Sequence, residues 1–520
     1  MIARTLIKPS FYQDSVALMG VARELRGGAG IQEAAALMGT PGNRELMEQA
    51  GLLTAEAAAA GPNDLVIVVR ADSEAAAAAA LTRAESLLTE RRRRVEAAGR
   101  RLPRTLDSAR RQLDGANLAL ISVPGPFAAA EARKALARGL HVMLFSDNVA
   151  LEDEVALKRL AVERGLLLMG PDCGTAYLNG VPLGFANAVP RGRVGIVAAS
   201  GTGLQQVVSL LAAGGEGVSQ AIGVGGRDMS ESVGAAMTLA ALDALGGDPD
   251  TALVVVVGKP PAPAVRGRVE ARLRALGKPA VVAMLGRAVS PGRDGLLHTV
   301  TSLEDAAAAA LAVLAGREYR ARAFADPEDA GRRIGERQRA LAAGQTSVRG
   351  LFAGGTLAYE ALLILEPLLG AVGGNLSRSA ASPHRIVDLG EDEFTRGRAH
   401  PMLDATLRAE EIARAGKETD VAVLLVDVVL GHGAASDPAG DIAPALEAAR
   451  AHARANGRGL AVVASVVGTA GDPQGLGRQV ARLESAGAWV LPSNAQAARA
   501  AAAIAGGAGV TQKLLGGESR

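Results

Sequence analysis

The sequence predicts an α/β chain of parallel-sheet domains preceded by a small α+β unit, and three observations predict it. Apolar runs of strand length, such as Val194-Gly195-Ile196-Val197-Ala198, alternate along the chain with helical apolar patterns. Those runs empty into glycine or proline loops, the arrangement that lines the ligand-binding rim of an open α/β sheet. At 520 residues the chain is long enough for three or four domains, each with its own core.

Residues 1–88 read as the small unit. Strand Arg4–Lys8 precedes a helix over Asp14–Leu25, with Val16, Leu18, Met19 and Val21 as its apolar positions. Extended Ile31–Met38 precedes a helix over Arg44–Ala50, and strand Leu65–Val69 precedes a polyalanine helix over Ser73–Leu88. That β-α-β-α-β-α order suggests a ferredoxin-like sandwich. Residues 89–115 are a basic linker in which Arg91–Arg94 form a solvated helix face, or alternatively a surface for an acidic partner. Residues 116–190 read β-α-β-α-β, with strands Leu118–Ser122, His141–Phe145 and Gly165–Met169. The last empties into Gly170-Pro171-Asp172-Cys173-Gly174-Thr175, where Asp172 either caps the turn or faces a substrate.

Residues 191–320 hold the stretch around which the rest is organised. Strand Val194–Ala198 runs into Ser200-Gly201-Thr202-Gly203 and then into helical Leu204, Val207, Val208, Leu210 and Leu211. Thr202 and Gln205 have capping-box spacing, which puts the helix start on the glycines. Such a start leaves backbone N–H groups free with the positive end of a helix dipole behind them, a phosphate site. A second loop, Gly223-Val224-Gly225-Gly226 with Arg227 next, follows the neighbouring strand. The same glycines would also serve tight strand–helix packing. Strands Ala252–Val257 and Ala280–Leu285 lead to rim loops Gly258-Lys259-Pro260-Pro261 and Gly286-Arg287.

Residues 321–346 are charged and weakly periodic, a connector. Residues 347–520 form a further α/β unit, beginning with Gly354-Gly355-Thr356 ahead of a helix over Leu357–Leu365. Strand Val421–Val426 ends in Asp427, and the loop Gly431-His432-Gly433 leads through Asp437 (N-cap) and Pro438 (first turn) into a helix over Ile442–Ala455. Two helix starts at glycine loops could thus converge on one anion.

Composition excludes several classes. The 56 basic and 54 acidic residues nearly balance, so no polyanionic partner is announced. Aromatics at 2% leave few stacking platforms for single-stranded nucleic acid. One cysteine, Cys173, rules out an internal disulfide framework and fits a reducing cytoplasm. No apolar run reads as a signal peptide or membrane span. Six scattered histidines with one cysteine give no zinc-ligand spacing, so no metal is expected.

At this point a resemblance enters. GPDCGTAYLNGVPLGFAN, VGIVAASGTGLQQV, GVGGRD and DPDTALVVVVGKPPAP, in that order, resemble the second half of a succinyl-CoA synthetase α subunit. GLFAGGTLAYEALLIL, IVDLGEDEFTRGRAHPMLD and VLLVDVVLGHGAASDPAGDIAPAL resemble the C-terminal domain of its β subunit. With KPSFYQDSVALM and MGTPGN near the start, the arrangement is similar to the FdrA family over nearly the full length. In the ligases two facing helix N-termini hold a phosphorylated histidine. By resemblance they map to the helices after Ser200-Gly201-Thr202 and after Gly431–Asp437.

The sequence departs from the ligases at three places. No GxxGxxG precedes Asn117, so the CoA-holding glycine loop is missing. The loop matching the ligase histidine reads Gly286-Arg287-Ala288-Val289-Ser290-Pro291-Gly292-Arg293, with Lys259-Pro260 in place of the ligase glutamate. No stretch resembles an ATP-grasp domain. The family resemblance implies a subunit of a multi-subunit oxamate carbamoyltransferase, which converts oxalurate and phosphate to oxamate and carbamoyl phosphate in allantoin breakdown. It implies partner subunits, or a homodimer, and phosphate or carbamoyl phosphate as substrate with no cofactor. An acyl-CoA ligase needing a partner for nucleotide chemistry is the alternative, and a non-catalytic scaffold or sensor the second.

Under that reading Ser200, Gly201, Thr202, Gly203, Gly225, Gly226, Gly354, Gly355, Thr356, Gly431 and Gly433 are candidate phosphate contacts, with Lys259 or Arg227 neutralising charge. His432 would protonate the leaving amide or hold phosphate, or else bond to backbone as loop histidines do. Asp427, at a strand end, would orient His432 or contact a helix N-terminus. His400 is a candidate substrate contact. Cys173 matches a ligase cysteine, and a buried structural thiol explains it as well.

Overall fold

A computed structural model of the chain describes residues 2–516 except 12, 14, 98–102, 287–288, 378–381 and 396–398. Asp14, Arg287 and the side chains of Arg91–Arg94 lie outside what is described. The chain divides into two compact units: residues 1–115 with 392–399, and residues 116–391 with 400–520.

The first unit runs β1 (Ile2–Lys8), α1 (Ser15–Arg26), β2 (Ile31–Met38), α2 (Pro41–Gln49), α3 (Ala55–Ala59), β3 (Leu65–Ala71), α4 (Glu74–Ala97) and α5 (Leu106–Gln112). β3 lies between β1 and β2 and is antiparallel to both. Strand alternation divides its core into two faces. Leu65, Ile67 and Val69 pack with Leu18, Ala22 and Leu25 of α1 and Ala77 and Ala84 of α4. Val66 and Val68 pack with Met47, Leu52 and Ala57. The expected ferredoxin-like order therefore appears as its split βαβ half, a three-stranded sheet. Helix α4 continues past Leu88 through the arginine run.

The second unit opens with a parallel three-stranded sheet of β4 (Leu118–Ile121), β5 (His141–Leu144) and β6 (Leu168–Met169), with α6 (Gly125–Ala137) and α7 (Leu151–Glu163) between them. A hairpin that sequence reading missed follows, β7 (Thr175–Leu178) and β8 (Val181–Gly184). Its turn is Asn179-Gly180, both at positive φ (52° and 78°), as a two-residue hairpin of that twist requires. Next come β9 (Arg191–Ala198), α8 (Gly201–Ala213), β10 (Val218–Gly223), α9 (Ala236–Gly247), β11 (Leu253–Gly258), α10 (Pro263–Ala275), β12 (Ala280–Met284), β13 (Gly292–Asp294), β14 (Leu297–Thr299) and α11 (Leu303–Leu314). These strands form one sheet with the hairpin, in the order β13-β14-β12-β11-β9-β10-β7-β8.

Residues expected as a connector instead carry α12 (Pro327–Arg339), whose Ala330 and Ile334 are buried in the core. The remainder is β15 (Ser347–Phe352), α13 (Gly355–Leu369), β16 (Val372–Gly373), β17 (His384–Asp388), α14 (Asp392–Thr395, in the first unit), α15 (Thr406–Ala415), β18 (Val421–Val429), α16 (Pro438–Ala455), β19 (Ala461–Val467), α17 (Leu476–Ser485), β20 (Ala488–Leu491) and α18 (Asn494–Leu515). Its six strands are all parallel, in the order β16-β17-β15-β18-β19-β20. Among the described residues no helix is long and apolar enough to cross a membrane.

Both larger sheets reverse strand order at one strand. β9 pairs with β10 on one side and β11 on the other, and β15 with β17 and β18. The crevice beyond the carboxyl end of such a strand is where open α/β sheets take ligands. Helices α8 and α13 start there, one in each sheet. The two layers share a core, in which Leu204, Val207 and Leu211 of α8 and Leu357, Ala361 and Leu365 of α13 join Ala497–Ala498 and Ala500–Ala503 of α18. The alanines keep that helix thin enough for close packing.

Two buried acids hold this arrangement. Asp427, on β18 and 0% exposed, accepts from the amides of Ala353 and Gly354 at 2.8 Å each, fixing the start of α13. Arg408 of α15 balances it, with Nη2 at 2.7 Å from Asp427 Oδ1 and Nε donating to Leu351 O at 3.1 Å. Glu360 of α13 accepts from Leu303 N (2.7 Å), at the start of α11, and from Asn494 Nδ2 (2.8 Å), at the start of α18. Burial pushes its carboxyl up to about 7.

Two outcomes follow. Asp427→Asn leaves the Arg408 guanidinium buried without a counter-charge, and a loss of about 3–5 kcal/mol is expected in chemical denaturation; a loss below about 1 kcal/mol would mean that the pair does not hold α13. For Glu360, the unfolded chain releases its proton near the ordinary value of 4.5 while the folded chain keeps it to about 7. This contribution to stability therefore falls as pH rises between those values. Glu360→Gln should gain on the native protein across that window, by up to about 3 kcal/mol, and hold the gain above it. Parallel melting curves from acid to neutral pH would overturn the assignment.

Candidate functional site

The site is built where two sheets bring two helix starts together. Ser200 leaves β9 in extended backbone and is the N-cap of α8, its Oγ accepting from Gly203 N at 2.9 Å. This corrects the expected Thr202–Gln205 capping box. The Gln205 amide reaches instead to Asn187 Oδ1 (3.2 Å) and Leu430 O (3.3 Å), joining the two layers. Gly354 is the N-cap of α13 and has no side chain to cap it, so Asp427 supplies the acceptor. Amides in the first turn of a helix have no acceptor within the helix. Ser200 takes Gly203, and among the described residues no protein group takes Gly201, Thr202, Gly355 or Thr356.

The hydroxyls of Ser200 and Thr356 share a hydrogen bond of 2.5 Å, which brings the two first turns into contact. A Cβ on Gly203 would lie 2.6 Å from Ser200 Oγ and 3.1 Å from Thr356 Cγ2, so glycine permits the approach. The helix facing α8 is thus α13, whereas resemblance had indicated α16. The start of α16 is already closed by α17: Ala439 N donates to Gln479 Oε1 at 2.9 Å, and Gln479 Nε2 to Asp437 Oδ1 at 2.8 Å. Asp437 is its N-cap but makes no side-chain capping bond.

The glycine loop before α16 has a structural task. His432 and Ala186 exchange backbone hydrogen bonds (2.8 and 3.3 Å). Gly431 (φ 115°) and Gly433 (φ 82°) allow this, since a Cβ would lie 2.6 Å from Ala186 O at the first and 2.9 Å from the Phe185 ring at the second. The His432 side chain is exposed. The loop at 223–226 packs similarly: a Cβ on Gly223 would lie 2.5 Å from Cys173 Sγ, and one on Gly225 2.5 Å from Pro171 O, while Gly226 faces open space. Arg227 is turned to another task, its Nε 2.8 Å from Glu154 Oε2 and its Nη2 donating to Val149 O. Glu154 also pairs with the buried Lys158, which pairs with Asp228. Cys173 is buried, its thiol donates to Thr175 O, and burial pushes it up to about 12, so it stays protonated. Asp172 is exposed at positive φ (57°), its amide bonded to Ser146 O.

Other groups do gather at α13. Lys259 follows β11, is exposed, and holds its ammonium 5.6 Å from the ring centroid of Tyr359 on the first turns of α13. His400 Nδ1 accepts from Met402 N at 3.2 Å, and burial pulls the ring down to about 4, so it is neutral with its proton on Nε2. Sequence reading missed Asp388, at the end of β17 and 4% exposed. Its Oδ1 accepts from Gly390 N at 2.9 Å, and a Cβ on Gly355 would lie 2.4 Å from its Oδ2. Burial pushes this carboxyl up to about 7, the charges of Glu391 and Asp427 add to that, and the Gly390 amide and Lys259 oppose it. The signal was present, an acid closing the apolar run Ile386-Val387 before Leu389-Gly390, much as Asp427 follows the run Val421–Val426.

Comparison with known proteins bears on this geometry. A family profile described as "AllF, heavy metal-associated domain" matches residues 1–103, and one described as "CoA-ligase" matches residues 351–504. Residues 1–103 contain neither cysteine nor histidine, so no thiolate or imidazole metal ligand lies within that match. The protein YahF of Escherichia coli is 39% identical over 503 residues, covering 95% of this chain and 97% of its own. The sulfoacetate–CoA ligase subunit SauD of Bilophila wadsworthia is 28% identical over 34% of this chain and 62% of its own. The succinate–CoA ligase α subunit of Staphylococcus epidermidis is 28% identical over 36% of this chain and 62% of its own. The chain belongs to the FdrA family: a CoA-ligase-like, succinyl-CoA synthetase α-like protein that carries an AllF N-terminal domain.

Proposed function

We propose that this chain is the phosphate-handling subunit of a multi-subunit carbamoyltransferase, binding phosphate or carbamoyl phosphate where α8 and α13 meet. The observation that carries the reading is the Ser200–Thr356 contact between two helix starts whose amides at Gly201, Thr202, Gly355 and Thr356 have no acceptor among the described residues. Two positive dipole ends in contact repel one another, and an anion between them turns that repulsion into binding. The AllF description of the N-terminal profile supports the carbamoyl branch. So does the absence of histidine from residues 286–293, where the ligases carry their phosphorylated residue.

In this reading the amides of Gly201, Thr202, Gly355 and Thr356 hold phosphate oxygens, and Lys259 adds positive charge at the α13 side. A phosphate oxygen attacks the ureido carbon of oxalurate and oxamate leaves. Charge developing on the carbonyl oxygen requires donors fixed beforehand, which helix amides provide. The CoA-ligase match over residues 351–504 favours a second reading, an acyl-CoA ligase subunit that relies on a partner for nucleotide.

A thermal-shift titration of the purified chain with phosphate, carbamoyl phosphate, CoA and ATP separates them. A ligand at a hundred times its Kd adds about 2.7 kcal/mol, a readable shift. Phosphate or carbamoyl phosphate should stabilise and CoA should not, and Thr202→Trp, melting like the native protein, should lose the response. Stabilisation by CoA would restore the ligase reading. Silence with every ligand would favour a scaffold.

A further inference from the structure

Two carboxylates stand at the first turn of α13, and the structure treats them oppositely. Asp427 has a guanidinium and two amides as partners, so its charge is fully met. Asp388, 4% exposed, has only the Gly390 amide, on Oδ1. Its Oδ2 lies against Gly355, the first residue of α13, 2.4 Å from where a Cβ on that glycine would be. A carboxyl at a helix start, next to the Thr356 hydroxyl that already contacts a second helix start, is placed to meet an anion bound there.

We propose that Asp388 is the proton donor of this site, its protonated Oδ2 hydrogen-bonding the bound oxyanion and then protonating the leaving atom. The inference rests on the phosphate-transfer reading above. In the step, an oxygen of hydrogenphosphate forms a bond to the ureido carbon of oxalurate as the bond from that carbon to the oxamate nitrogen breaks. The electron pair of the broken bond stays on nitrogen and takes the Oδ2 proton. The remaining phosphate hydroxyl returns its proton to the carboxylate, so charge and protons balance without a co-reactant.

The surroundings push this carboxyl up to about 7, so it holds its proton below that pH and loses it above. Burial and the charges of Glu391 and Asp427 oppose its ionisation, against which stand the Gly390 amide and Lys259. His400 packs from the other side, its Nε2 and Asp388 Oδ1 lying 2.6 and 3.1 Å from where a Cβ on Gly390 would be. That imidazole stays neutral through this range and adds no charge. The exposed His432, whose backbone is held by Ala186, is not needed for this task.

The test has two arms on the full chain. Calorimetry with sulfate, which does not titrate in the range, measures anion affinity from pH 5.5 to 8.5. The native protein should lose about tenfold in affinity over that range as Asp388 ionises beside the anion. Asp388→Asn, neutral throughout, should stay within about twofold. In the second arm a host strain lacking its own copy is complemented with either form, and extracts are assayed for phosphate-dependent release of carbamoyl phosphate from oxalurate. The native chain should restore it, and Asp388→Asn should fall by about a hundredfold or more while still binding sulfate at pH 6. Equal restoration, or identical pH dependence of sulfate binding in both forms, overturns the role of Asp388 and leaves the anion site standing. No sulfate binding by the native chain, or no restoration by it, overturns the phosphate reading itself.

Discussion

The buried Asp427 carboxylate is the constraint on which the rest depends. It takes the amides of Ala353 and Gly354 while Arg408 takes its charge, and so it sets where α13 begins and how that helix is aimed. Without an acceptor at Gly354, which has no side chain, the helix start would be closed by water or by its own fraying. Because Asp427 closes only the amides ahead of the helix, those of the first turn stay open. The same start meets α8 directly: α13 packs on α18 and against α8, and α8 packs on α11, within one core. The meeting of Ser200 and Thr356 therefore depends on the ion pair that aims α13 and on the core that seats both helices.

Acids in this unit show how environment, not residue type, sets protonation. Asp427 sits among an arginine and two amides. Glu360 joins three helices with two neutral donors, and burial pushes it up to about 7. Asp388 has one amide and is pushed to about the same value. Burial without a full set of donors disfavours charge, and the count of donors decides how far.

The glycines divide in the same way. At Gly431 and Gly433 positive φ and contact with Ala186 and Phe185 explain them, and at Gly223 and Gly225 the close pass of the 170–175 loop does. Those loops bring backbones together and leave little for a ligand. Ser200–Gly203 and Gly354–Thr356 differ because a helix begins inside them. Glycine richness alone could not separate the two kinds. Where the helix starts, and what already faces it, does.

What the sequence by itself determined was the local order. Strand runs such as Leu253–Gly258, helix α7 over Leu151–Glu163 and the glycine start of α8 were legible because period and turn chemistry act within a few residues. The Asn179-Gly180 hairpin was equally local and simply went unread. Asp388 was half legible, a strand-end acid whose partner count no spacing reveals. Only the tertiary structure decided which helix meets α8, since α13 and α16 both follow glycine loops. The choice fell to strand order: β15, not β18, is the strand at which its sheet reverses, and Gln479 had already closed the start of α16. Contacts between residues more than a hundred positions apart, such as Ser200 with Thr356, arise from packing of whole layers, and no local pattern encodes them.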